Sequence, residues 1–146
     1  MRPTTTSRLA SPAAILRMVA ATLAGVVAAC LGHGLAAPPA FVSPVWPATG
    51  FAIWWILVAG RRAWPVIAVA TVAGALIWRG GGSVASLATF AAGATWEGLA
   101  GARIWRWIQQ RLGTAGGLAD AISAIVMAPL AAAVGASCGL AALAVE

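Results

Sequence analysis

The sequence has no lysine, one histidine, two cysteines and three acidic residues, and each scarcity removes a class of function. Without lysine, no Schiff-base cofactor such as retinal can be attached. His33 alone cannot supply both axial ligands of a bis-histidine haem, and no second ligand stands at metal-binding spacing from it. Glu97, Asp120 and Glu146 form no carboxylate pair, and no Ser–His–Asp arrangement is present. Gly80-Gly81-Gly82 lacks the following lysine of a phosphate-binding loop. The expectation is a protein that is not an enzyme and carries no cofactor or metal.

Charge as a whole is scarce. Only 8% of the 146 residues are charged, 62% are hydrophobic and the mean hydropathy is +0.93. A soluble domain carries about 25% charged residues, so this chain cannot cover a water-facing surface. An all-α integral membrane protein is expected.

What is present is arginine, nine residues against three acids, for a net charge of +6. In a soluble protein that balance points to nucleic acid. Here the arginines punctuate apolar runs instead of forming a face, so they read as topology signals and no nucleic-acid partner is expected.

Residues 1–11 are polar and basic and read as a cytoplasmic tail. Ser11-Pro12 is a helix start, and Pro38-Pro39 a stop, which predicts a first helix over about 12–36. Further helices are expected at about 45–60, 63–78, 83–111 and 121–145, making a bundle of five. The second and third are near the short limit for a bilayer that takes ~20 helical residues. With the N-terminus inside, Arg2, Arg8, Arg17, Arg61, Arg62, Arg103, Arg106 and Arg111 fall on the cytoplasmic side and only Arg79 on the other. That bias satisfies the positive-inside rule and leaves the C-terminus periplasmic. An alternative for the first segment is a lipoprotein cleavage site at Val27-Ala28-Ala29-Cys30, set against the further membrane helices that follow it.

Glu97 is the most informative single residue. It falls near mid-membrane, where a carboxylate costs at least ~2.5 kcal/mol, so it is expected to be protonated, paired or facing a cavity. Depth suggests Thr22, Trp54, Trp55 and Thr71 as its neighbours. It reads either as a proton- or ligand-responsive acid or as a structural hydrogen-bonding group between helices. Trp54 and Trp55 either line a pocket or pack. His33, near the outer end of the first helix, either contacts a ligand or titrates with external pH. Arg61, Arg62, Arg103 and Arg106 read as topology anchors, the first two also as contacts for anionic lipid. Trp46, Trp64, Trp78, Trp105 and Trp107 fall at the interfaces. Ala131, Gly135 and Gly139, and Ala94, Gly98 and Ala102, recur every four residues as helix-packing seams. Cys30 and Cys138 read as small buried residues, with a disulfide as the alternative.

Pro44-Val45-Trp46-Pro47, Gly50 and Gly60-Arg61-Arg62-Ala63-Trp64-Pro65, with Gly93-Ala94-Thr95-Trp96-Glu97 and Ala136-Ser137-Cys138-Gly139 downstream, resemble a known family. It is the type-one membrane-associated sensor (MASE) domain of bacterial histidine kinases and diguanylate cyclases. The resemblance implies a multi-helix membrane sensor. Departures are Ala94 and Ile77-Trp78 where the family carries asparagine, fewer helices and no output domain. The expectation is a truncated or divergent sensor acting through partner membrane chains or as a homo-oligomer. The competing expectations are a structural subunit of a larger membrane complex, pigment-binding or not, and a small transporter using Glu97. The transporter finds no inverted repeat in its favour.

Overall fold

Ser11 is extended, and its Oγ accepts a hydrogen bond from the Ala14 N–H at 3.2 Å while Pro12 takes the first helical position. Those two residues start α1, Pro12–Gly34, which closes at Leu35. In this computed structural model, residues 11–35, 47–79, 83–112, 117, 120–127, 129, 133 and 137 are described. The tail 1–10, Pro44 to Trp46, the Gly80–Gly82 turn, the Ala131, Gly135 and Gly139 seam, and Cys138 lie outside them. Cys30 carries a free thiol.

Every element among the described residues is helical. α2 is Pro47–Ala59, α3 is Trp64–Arg79 and α4 is Val84–Leu112, with a further helical segment at 120–127. α2 stops one residue before Gly60, whose φ of 85° and ψ of 174° belong to a backbone region that is essentially glycine-only. Arg61–Ala63 then form a single 3-10 turn instead of opening the next helix, and α3 starts at Trp64. Ser83 caps α4, its Oγ accepting from the Ser86 N–H at 3.1 Å.

Small residues set how these helices meet. A Cβ added at Gly74 would lie 2.6 Å from the Ala29 Cβ, and one at Gly25 would lie 2.8 Å from the Ala70 Cβ. Gly25 and Ala29 on α1 thus interlock with Ala70 and Gly74 on α3, each pair four residues apart. Matching numbers rise together along both helices, so α1 and α3 run parallel. Gly98 meets Ala52, and Gly101 meets Ile53, so α2 and α4 run parallel as well. The two pairs point in opposite directions because α2 and α3 are joined by the tight turn at Gly60. Segment 120–127 turns back along α4, with Gln109 bonding Asp120 and Ser123 while Gly101 lies near Met127.

The core between the pairs is built of Ala21, Ala52, Ile53, Trp55, Ile56, Val66, Ile67 and Ala102. The opposite face of α1 carries Ile15, Val19, Leu23, Val27 and Leu31, all exposed and recurring every four residues. Among the described residues, α1 is the one helix both long and apolar enough to cross a membrane. α2 is apolar but shorter.

Candidate functional site

Val84–Leu112 is long, about 43 Å at 1.5 Å per residue. Glu97 sits at its middle, 4% exposed. The Thr49 Oγ1 donates to Glu97 Oε1 at 2.8 Å, joining the first turn of α2 to the centre of α4. One residue on, Gly98 lets α2 approach closely: an added Cβ there would come within 3.1 Å of the Ala52 Cβ and 3.3 Å of the Ile67 Cδ1. Gly98 and Ala102 are both buried against neighbouring helices, and Ala94 packs on the core.

Thr49 was absent from the neighbours that depth suggested, for a reason of register. Counting from both helix starts assumes that α2 and α4 overlap from end to end. Instead α2 lies along the C-terminal half of α4, so its first turn, not its middle, reaches Glu97. A hydroxyl in the Pro47-Ala48-Thr49-Gly50 stretch was the available signal.

The suggested neighbours go elsewhere. Thr22 turns its hydroxyl back to the Met18 carbonyl at 2.9 Å on its own helix. Trp54 is 53% exposed, whereas Trp55 is buried in the core with its Nε1 lacking a hydrogen-bond partner. Phe51 stacks on Trp55 with ring centroids 6.5 Å apart and planes within 6°. Thr71 is half-buried on α3. His33 is far from this set, stacked on Trp78 at 6.3 Å where α1 and α3 end.

A second polar contact ties the other end of α2 to α4. The Ile56 carbonyl accepts from the Gly60 N–H at 3.1 Å and from Arg106 Nη2 at 3.1 Å. Ile56 itself is fully buried. Arg106 therefore closes a helix end, work that its position in a basic run does not announce. Arg61, Arg62 and Arg103 are exposed. α2 is held at both termini by α4 side chains, Glu97 at the start and Arg106 at the finish.

This arrangement offers a buried carboxyl with a neutral donor and a packed aromatic pair, Phe51 and Trp55, within the next two turns of α2. Among the described residues, no group of three or more His, Cys, Asp or Glu side chains could hold a metal ion. No family model, curated protein or solved structure matches the chain.

Proposed function

We propose that this chain is a multi-pass protein of the bacterial inner membrane, a bundle of about five spanning helices that acts as a non-enzymatic sensor through partner chains. The N-terminus is cytoplasmic and the C-terminus periplasmic. The parallel pairing of α2 with α4 supports that topology, because it puts Arg61 and Arg62 at the same end as Arg103, Arg106 and Arg111. The resemblance of the Pro44–Pro47 and Gly60–Pro65 blocks to membrane-associated sensor domains supports the sensor reading.

The observation that carries it is Glu97, 4% exposed and bonded to Thr49. A carboxyl at this depth has few ways to be satisfied. Its contact spans two helices, so whatever replaces Thr49 as its partner, a proton donor or a polar ligand, changes how α2 sits on α4. A ligand shifts such an equilibrium only by its differential affinity for the two arrangements. A membrane partner then reads the position of α2.

The test is purification in mild detergent with mass spectrometry of everything that stays bound. The sensor reading expects a lone or self-associated chain with a small polar molecule, lost in Glu97→Gln. Stoichiometric recovery with a large membrane protein, unaffected by Glu97→Gln, would favour the second reading, a structural subunit. The exposed Ile15, Val19, Leu23, Val27 and Leu31 stripe of α1 favours that second reading, since it is a continuous apolar face that a partner helix could cover.

A further inference from the structure

One corner of the bundle brings the guanidinium of Arg106 to the helix end that leads into Arg61-Arg62. The Ile56 carbonyl accepts from Arg106 and from the Gly60 N–H, both at 3.1 Å, and Gly60 immediately precedes Arg61-Arg62. The side chain of Arg106 thus ends at the turn that carries the other two arginines. All three are exposed. Arg106 spends one N–H on Ile56, and a guanidinium has five, so it keeps donors for an outside acceptor. Gly60 holds the turn in a conformation that L-residues rarely adopt, with φ 85°, and this fixes where Arg61 and Arg62 leave the backbone.

The same end carries further positive charge. α1 runs parallel to α3, through Gly25 on Ala70 and Ala29 on Gly74, and so opposite to α2, which brings Arg17 to this end. Arg103 and Arg111 lie on the last turns of α4, with Arg111 over the Trp107 ring at 5.7 Å. Exposed Trp64 and Trp107 flank the group, as aromatics do at the headgroup level. Counting from the centre of α1, Arg17 sits about 9 Å along the axis at 1.5 Å per residue, and the Arg61-Arg62 turn lies farther out, near the edge of a hydrocarbon layer about 30 Å thick.

From these observations we infer that Arg61, Arg62 and Arg106 form a binding site for the phosphate of an anionic phospholipid in the cytoplasmic leaflet. The inference rests on the membrane placement proposed above and not on the sensing role of Glu97. The chemistry suits arginine in particular: a planar guanidinium forks onto two phosphate oxygens, whereas an ammonium acts as a point charge. The sequence contains no lysine at all. Arg106 is pre-positioned by its bond to Ile56, so less freedom is lost on binding.

The experiment uses the full chain in mild detergent, supplied with equal amounts of phosphatidylglycerol and phosphatidylcholine, and reads retained lipid by native mass spectrometry. Phosphatidylglycerol should be retained preferentially, and the preference should fall about 25-fold in R61Q/R62Q, at about fivefold per arginine near a charged surface. R61K/R62K, which keeps charge and turn, should lose part of the preference because the fork is gone. R103Q/R111Q should keep more of the preference than R61Q/R62Q. Equal retention of both lipids would overturn the site, as would a preference unchanged in R61Q/R62Q or in R61K/R62K. Displacement of the lipid by millimolar inorganic phosphate, or retention of RNA in its place, would also overturn it. Carbonate extraction of membranes reports the membrane placement separately: a resistant chain without lipid preference loses the site and keeps the placement.

Discussion

Thr49 donates its hydroxyl proton to the Glu97 carboxyl at 2.8 Å, and this bond joins the first turn of one helix to the midpoint of another. Glu97 is buried beside the seam that Gly98 tightens, and Thr49 is half-buried against it. Low local polarity strengthens such a bond and raises the cost of leaving either partner unmatched.

Thr49→Val keeps the shape of the side chain and removes its donor. It should destabilise the chain by about 1–3 kcal/mol, the cost of an unsatisfied buried group. Glu97→Gln keeps an acceptor and should cost less. A double-mutant cycle read by denaturant titration in detergent should give a coupling of at least 0.5 kcal/mol, the lower bound for residues in one hydrogen-bond network. Additive single effects would mean that the bond does not contribute to stability.

The interlock of α1 with α3 makes a sharper demand. At Gly74 an added Cβ would lie 2.6 Å from the Ala29 Cβ, and neither atom belongs to a flexible side chain. Gly74→Ala must push the helices apart and should cost about 1–3 kcal/mol by overpacking. Gly50→Ala, where nothing lies within 4 Å, serves as the control and should be near neutral or slightly stabilising. Thermal unfolding midpoints of the two variants check the contrast, and equal midpoints would contradict this seam.

Gly60 isolates a purely conformational cost. A Cβ there meets nothing within 4 Å, yet the backbone has φ 85° and ψ 174°. Gly60→Ala should therefore cost about 1–3 kcal/mol with no steric clash to relieve. Protease sensitivity of the Gly60–Ala63 turn should rise with it. A silent substitution would show that the turn relaxes freely.

The proposed membrane topology is open to direct labelling. With Cys30 and Cys138 both replaced by serine, a cysteine introduced at Ser83 should react with an impermeant maleimide added outside intact cells, while one at Arg62 should react only after lysis. The reverse pattern would invert the bundle. Reaction at both positions from outside would remove the spanning arrangement altogether.

Much of this architecture is legible in the order of residues, because local chemistry decides it. Ser11-Pro12 starts a helix by supplying an acceptor and dispensing with a donor. Gly60 ends one because only glycine takes the turn. The scarcity of charge, 8% of residues against about 25% in a soluble domain, is likewise readable without coordinates. Glu97 stands out as the single acid in a long apolar setting, so its importance is visible without coordinates.

Tertiary structure decided what each of these residues meets. The partner of Glu97 depends on how far α2 is displaced along α4, and no residue in either helix encodes that displacement alone. It comes from Gly98 against Ala52, Gly101 against Ile53 and Arg106 on Ile56, contacts between positions about 50 apart in the chain. The Gly25, Ala29, Ala70 and Gly74 interlock was likewise invisible as a pair, since each half is only a common small-residue spacing until the helices lie parallel. Sequence determines which segments are helical and which groups need a partner; packing between distant segments determines which partner each one finds, because the register of two helices is a property of their shared surface.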